Sequence, residues 1–368
     1  MSVTKSRPAL RWLVPAVATV VVIGGGAAVG TFAASADPSL PPRTAAQLLV
    51  DLQTARLDGL SGTVVQTSDL GLPSLPDLGG GNGSADLMSL ITGDNTLRVW
   101  YSGPDKARVA LMGTLGETDI IRNGSDVWLW ESKANKATHS KLSGTEAGQK
   151  HTLPNGVPST PQEAADKALA AIDPSTEVTT SGTAKVAGRD AYELVLRPRD
   201  TTSLVGQVRI AIDATEHVPL RFEVLAKDSD KAAFQVAFTQ VDFERPDDQQ
   251  FEFNPPPGVK VEESTELAPQ QKAQQKDKAH DAVTTVGEGW TTVAVAKYDG
   301  AAPSGSSTSE QGAAGLLKAL PEVNGAWGSG HLLTGTVFSV LLTDDGRILA
   351  GLVSPERLYE VAATKAGK

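Results

Sequence analysis

The chain has 368 residues, with 33 Lys and Arg against 43 Asp and Glu, a net charge of -10 and no cysteine. That length predicts two domains, one larger than the other, and 40% hydrophobic residues suffice for a core, which excludes collagen-like, coiled-coil and wholly disordered chains. The acidic balance argues against nucleic acid as a partner, because phosphate backbones need Lys and Arg. The lack of Cys removes disulfides, thiolate zinc sites, cysteine nucleophiles and lipid attachment at a thiol.

Residues 1–36 read as an address. Lys5, Arg7 and Arg11 precede an uncharged stretch from Trp12 to Ala36. The positive flank stays cytoplasmic, so the rest of the chain lies outside. Ala34-Ser35-Ala36 has the small-x-small form of a signal-peptidase site, releasing a chain from Asp37. Trp12 to Phe32 is also long enough to span a bilayer once, although Gly24-Gly25-Gly26 weakens it as a lasting helix. A retained single-pass anchor and a cleaved signal both stay open. The first places the protein at the cell membrane with its C-terminal part outside, the second makes it secreted.

After a proline-rich tether, Thr44 with Gln47 forms a capping box for a helix with Ala45, Leu48, Leu49, Leu52 and Ala55 on one stripe, ended by Gly59. A strand follows over Thr63–Thr67. Ser68 to Ala85 is too rich in Gly and Pro for either element and reads as a loop, or as a lid or membrane-touching segment. Four segments with period-2 alternation come next: Thr96–Ser102, Lys106–Met112, Glu117–Arg122 and Val127–Glu131. The turns Gly103-Pro104-Asp105 and Asn123-Gly124 make them an antiparallel meander. Several are apolar on both faces, which predicts that both faces are covered.

A second capping box, Thr160-Pro161-Gln162-Glu163, opens a helix to Ile172. A second strand series starts near Glu177 and includes Asp190–Arg197, Gln207–Asp213, Leu220–Leu225 and Ala233–Phe243. In the last, the apolar phase slips by one between Phe238 and Val241, which predicts a bulge near Thr239-Gln240. Phe251-Glu252-Phe253 and Pro255-Pro256-Pro257-Gly258 close the domain.

These breaks set the domain boundaries. Residues 37–261 form the large domain, and 262–285 a charged linker. Residues 286–368 form a small α+β domain, with a strand over Trp290–Lys297, a short helix over Gly312–Leu320, a hairpin of Thr334–Thr343 and Arg347–Val353 around Asp344-Asp345-Gly346, and a terminal helix from Ser354-Pro355-Glu356. The fold class is α+β.

No motif carries a reaction. His139, His151, His217, His280 and His331 are scattered, none at metal-ligand spacing. There is no GxSxG elbow, no GxGxxG after a strand and no Walker A loop. Asp119, Asp126 and Glu131 read as solvent-facing strand carboxylates. No cofactor, metal or catalytic residue is expected. The aromatic residues stand out instead. Trp100, Trp128 and Trp130 lie in neighbouring strands, and Tyr192, Leu194, Phe222, Phe234 and Phe238 line apolar faces of the second series. They are either ordinary core or the lining of an apolar cavity in a curved sheet.

Val186-Ala187-Gly188-Arg189-Asp190-Ala191-Tyr192-Glu193-Leu194-Val195-Leu196 resembles the segment of the LolA/LolB family that opens its second strand group. Ile210-Ala211-Ile212-Asp213 with Val218-Pro219-Leu220-Arg221, then Val236 to Phe243, come at about the family's spacing. Phe251-Glu252-Phe253-Asn254-Pro255-Pro256-Pro257-Gly258-Val259 is similar to its closing stretch. The resemblance spans Thr44 to Val261 and is best from Val186. It implies a strongly curved antiparallel sheet, an incomplete β-barrel, covered by helices, in proteins that carry lipoproteins or bind lipids. A large domain, linker and small domain also resemble the RseB/MucB regulators, whose large domain senses lipid-like signals and whose small domain holds an anti-sigma factor.

Two departures matter. A retained anchor is foreign to a diffusing carrier, and the small domain matches no regulator motif. The abundance of Ala, Gly, Asp and Val also points to a GC-rich, actinobacterial type of source. The resemblance thus implies an extracytoplasmic, membrane-tethered protein without catalytic activity that binds a lipid or lipoprotein acyl chain. Its alternative is a regulator binding an envelope membrane protein. The eight aromatic and aliphatic residues above are the candidate cavity lining.

Overall fold

The computed structural model describes residues 40–71, 93–113, 116–142, 174–264, 283–297 and 320–364. The N-terminal address, most of the Ser68–Ala85 stretch, the helix expected up to Ile172 and most of the one expected over Gly312–Leu320 lie outside the described residues. Among the described residues no helix is long and apolar enough to cross a membrane.

Helix α1 (Ala45–Thr54) starts where the sequence places it. The Thr44 hydroxyl accepts from the Gln47 amide at 3.2 Å, and the Gln47 side chain accepts from the Thr44 amide at 2.9 Å. These two bonds satisfy donors that a bare helix end leaves free. The helix stops at Thr54, ahead of Gly59. Gly59 has a different job: a Cβ there would sit 2.4 Å from the Arg245 Cα, so only glycine lets the chain pass.

Twelve strands make the large sheet. They are β1 (Leu60–Ser68), β2 (Asn95–Tyr101), β3 (Lys106–Met112), β4 (Glu117–Asn123), β5 (Asp126–Glu131) and β6 (Lys136–Lys141), then β7 (Thr176–Val186), β8 (Arg189–Pro198), β9 (Val205–Asp213), β10 (Pro219–Ala226), β11 (Ala232–Asp242) and β12 (Lys260–Ser264). Their order is β12-β6-β5-β4-β3-β2-β1-β11-β10-β9-β8-β7. Strand β1 lies between two meanders, β2–β6 and β7–β11. The end strands do not meet, so the sheet is large, curved and open rather than a closed barrel. All neighbours are antiparallel except β12, which joins β6 in parallel. The bulge is where the phase slip requires it: Val64 faces Phe238 and Thr63 faces Gln240, which leaves Thr239 unpaired.

One expectation needs correction. Among the described residues helices do not blanket the sheet. Among the described residues only α1 lies on it, against β7 and β8. Residues Asp248–Phe251 are a 3-10 turn in a segment that leaves β11 at the sheet centre and crosses one face to place β12 at the far edge. Glu262, Glu263 and Ser264, at the head of the expected linker, belong to β12.

The small unit has six strands in the order β13-β14-β18-β17-β16-β15: β13 (Val283–Val286), β14 (Val293–Lys297), β15 (Glu322–Gly325), β16 (Gly328–Thr334), β17 (Ser339–Thr343) and β18 (Arg347–Gly351). Helix α2 (Pro355–Ala363), with Ser354 as N-cap residue, buries Leu358, Val361 and Ala362 against Val293, Leu341, Leu349 and Val353. The expected strand from Thr334 to Thr343 is broken at Gly335–Phe338, where the Gly335 amide donates to the Phe338 carbonyl at 2.9 Å in a tight turn.

One electrostatic knot ties three strand ends together. Buried Asp213 accepts from Arg189 Nε at 2.5 Å and Nη2 at 3.0 Å, and from the amides of Glu216 at 2.7 Å and Thr215 at 2.9 Å. Arg189 also lies over the Phe243 ring at 4.6 Å. Burial pushes the Asp213 carboxyl up, but Arg189 and the two amides outweigh it and hold it below its ordinary value. A depressed carboxyl stabilises the fold above its unfolded pKa and loses that contribution as pH falls through the folded value. Asp213→Asn should therefore cost about 1–3 kcal/mol at neutral pH, and urea melts should show the deficit shrinking on acidification below the ordinary carboxylate range. The β7–β8 turn offers an opposite test. Ala187 and Gly188 both have positive φ, 50° and 79°, as a type I′ turn demands. Ala187→Gly should stabilise by roughly 0.5–1 kcal/mol, because alanine is strained there.

Candidate ligand-binding site

Residues paired directly across neighbouring strands share a face, which sorts the side chains of the large sheet. Tyr192 pairs with Ile212, and Leu194 with Ile210, which pairs with Phe222 and through it with Val236. Val224 pairs with Phe234. Phe238 pairs with Val64, then Leu97, then Leu111. Val99, Val109, Ile120 and Leu129 form the adjoining row. One face is thus apolar across nearly the whole sheet. Trp100, an odd number of residues from Leu97, points the other way. Its row runs Arg108, Ile121, Trp128, His139.

The structure therefore does not bring the eight expected residues together. Tyr192, Leu194, Phe222, Phe234 and Phe238 lie on the apolar face. Trp100, Trp128 and Trp130 lie on the opposite one. There Trp128 stacks on His139 with centroids 4.3 Å apart, and Phe253 from the crossing segment packs on Trp128 at 5.2 Å and Trp130 at 6.0 Å. Arg108 lies over the Trp100 ring at 5.3 Å and bonds Asp119. Burial, then the neighbouring Asp119, pushes the Glu117 carboxyl up. His139 faces Asp126 at 2.8 Å and Glu263 at 2.9 Å, which fastens β12 to the edge. This end of the opposite face is filled by the chain itself.

The remainder of that face sets charged groups among buried Val65, Val195, Ala211 and Ala237. Arg221 bonds Glu193 at 2.5 Å, and Ser181 donates to Glu193 at 2.6 Å. Beside them, burial first and the Glu193 charge second hold the Glu223 carboxyl above its ordinary value against the pull of Arg221. Arg221 Nε also lies 3.5 Å from the Glu223 carboxylate, and these groups offer no nucleophile with a base. Among the described residues no three His, Asp or Glu are placed to hold a metal ion.

The apolar face is covered unevenly. Over β7–β10 it meets α1 and Val337 of the small unit, with Leu194 and Ile212 fully buried. The Tyr192 hydroxyl donates to the Pro41 carbonyl at 3.0 Å, tying the tether to this end. Toward β4 the cover among the described residues thins. Val99 is 4% exposed, Val109 and Leu111 are half-buried, and Ile120 is 53% exposed. An isoleucine at that exposure in an apolar row is an unmet burial demand. Val109, Ile120 and Leu129 are the residues that sequence reasoning missed. Their signal was the second apolar set alternating with the tryptophans. A separate hollow of about 380 Å³ lies beside the small sheet, walled by Trp290, Thr292, Phe338, Ala350 and Leu352.

The family model of the MucB/RseB N-terminal domain matches residues 95–265. No curated protein matches the chain. Among solved structures, the MucA/MucB complex of Pseudomonas aeruginosa is 14% identical, covering 87% of this chain and 97% of that one, with a TM-score of 0.42. A conserved protein from Thermus thermophilus is 13% identical, covering 59% and 98%, at 0.33. A LolA superfamily protein from Nitrosomonas europaea is 10% identical, covering 58% and 99%, at 0.20. The resemblance drawn from the strand motifs is borne out by the family-model match over residues 95–265.

Proposed function

We propose that this chain is an extracytoplasmic, membrane-tethered binding protein without catalytic activity, which takes a lipid or lipoprotein acyl chain on the apolar face of its large sheet. In this reading residues 1–36 tether or export the chain, the large domain binds and the small domain comes after the linker. The observation that carries it is the row Val99, Val109, Ile120, Leu129, apolar throughout and opening to solvent at Ile120. Acyl burial contributes about 0.8 kcal/mol per CH₂, so roughly ten methylenes on such a surface hold a lipid without any charged contact. The match to the MucB/RseB N-terminal domain supports a binding role.

A second reading, a regulator that docks an envelope membrane protein such as an anti-sigma factor, draws support from the same family match. Native mass spectrometry of the full chain from its own membrane, with lipid extraction, separates the two. A defined lipid at one per chain is expected. A clean apo mass after lipid is offered, with one anti-sigma-type protein co-purifying and lost on deletion of 286–368, would turn the assignment to the regulator.

Two variants locate the site. Ile120→Asp should weaken a fluorescent fatty acid at least about tenfold, the equivalent of about 1.4 kcal/mol, with little change in Tm because the side chain is exposed. Phe253→Ala should shift tryptophan emission to the red and leave fatty-acid affinity unchanged, since Phe253 packs on the opposite face. The reverse pattern would move the site to the tryptophans.

A further inference from the structure

The apolar face is one continuous surface with two ends. One end is open at Ile120. The other carries residues that belong to neither the large sheet nor its helix. Val337, at the tip of the turn between β16 and β17, is only 6% exposed, yet it is buried in the cluster of Leu48, Tyr192, Leu194, Val208 and Ala233 rather than in the small unit's own core. Phe338 packs against the same cluster. The pairs Phe222–Val236 and Val224–Phe234 run from this seat toward Phe238, Leu97 and the open row.

We infer that the Gly335–Phe338 turn is an internal occupant of the ligand face, seated where a second length of acyl chain fits, so that ligand at that end and the docked small unit exclude each other. The inference rests on the acyl-binding reading and names its regulation.

The contacts suit a releasable seat. The Thr336 amide donates to the Leu70 carbonyl at 2.7 Å, and its hydroxyl to the Asp69 carbonyl at 3.1 Å. The Leu204 amide and the Ser203 hydroxyl both donate to the Leu352 carbonyl, at 2.9 and 3.1 Å, beside a single bridge between Ser203 and Val353. Trp290 Nε1 donates to the Thr176 hydroxyl at 2.8 Å. Each is a contact at a strand end, and every group involved is one that water can satisfy on release. The small unit keeps Leu341, Leu349, Leu358 and Val361 in its own core, so it has what it needs to stay folded when the turn lifts. A ligand that fills the vacated seat has differential affinity for the lifted state, which is what a population shift requires.

The experiment uses the full chain and 11-(dansylamino)undecanoic acid as the probe. At a probe concentration that fills one seat of the unaltered chain, Val337→Asp should bind about twice as much, because its second seat no longer requires displacing the turn, with faster amide exchange at Leu204 and Thr336. In the unaltered chain, excess probe should accelerate exchange at the same two amides. The chain has no cysteine, so Leu70→Cys with Thr336→Cys can be oxidised as a lock, and oxidation should abolish that acceleration while its reduced form retains it. Faster exchange in Val337→Asp without added probe binding, or probe-driven exchange that survives the lock, overturns the inference. So does exchange that neither Val337→Asp nor excess probe alters, because the turn is then a fixed joint. Ile120→Asp separates the two readings. Made in the Val337→Asp background, it should remove the open-end seat and leave the added one. No probe bound by any form overturns the acyl-binding reading itself.

Discussion

An open sheet with one apolar face has to find cover without closing on itself, and most of this structure answers that demand. A barrel hides its apolar side by joining its first and last strands. Here β7 and β12 stand at opposite ends of the order and never meet. The face is instead covered piecemeal, by the amphipathic stripe of α1 and by the turn of the small unit. Among the described residues the sum of these covers falls short of the face. The shortfall accumulates toward β4, where Ile120 is left in water. The edges meet the same demand by other means. β12 carries Lys260, Glu262 and Glu263, with Glu262 held between Lys136 at 2.9 Å and Lys260 at 2.6 Å. The two lysines bring the Glu262 carboxyl down to about 2. Charge along an edge strand discourages pairing with another chain.

The opposite face shows what full coverage looks like. The chain leaves β11 at the centre and has to travel over several strands to reach the edge beside β6, so β12 arrives in parallel to its neighbour. On the way it buries Phe251 and lays Phe253 on Trp128 and Trp130. The crossing segment therefore acts as a strap that uses aromatic area where the apolar face uses helix and turn. Over the rest of this face Arg221, Glu193 and Ser181 bond one another.

Much of this was legible in the residues. Thr44 and Gln47 spell a helix start because their hydrogen bonds are local, and local signals do not depend on the tertiary fold. The strands from Asn95 to Glu131 and the bulge at Thr239 were readable because a half-buried strand must keep period 2, and a slip of one residue must be absorbed somewhere. Strand β6 was missed because Lys136-Ala137-Thr138-His139-Ser140-Lys141 has no apolar alternation. Its place comes from the pairing of β5 on one side and β12 on the other. The site was half legible for a related reason. In β5 both sets, Val127 with Leu129 and Trp128 with Trp130, are apolar, so periodicity separates them without saying which one a segment far along the chain will cover. Phe253 decides that, and nothing in β5 announces it.

The distribution of aromatic residues makes the assignment of faces more than geometric. The side that carries Trp100, Trp128 and Trp130 is the side the chain closes with its own Phe253, where large flat rings pack together and give a filled layer. Beyond Tyr192, Phe222, Phe234 and Phe238, the open end of the apolar side is lined by Val99, Val109, Leu111, Ile120 and Leu129. Branched aliphatic side chains present a smooth surface without hydrogen-bonding groups, so they discriminate little along a methylene chain and demand nothing polar of it. A surface meant to hold one rigid partner would gain more from Trp and Arg, which supply directional contacts. On the acyl-binding reading, an aliphatic row that ends in water suits a ligand whose length varies and whose chemistry repeats.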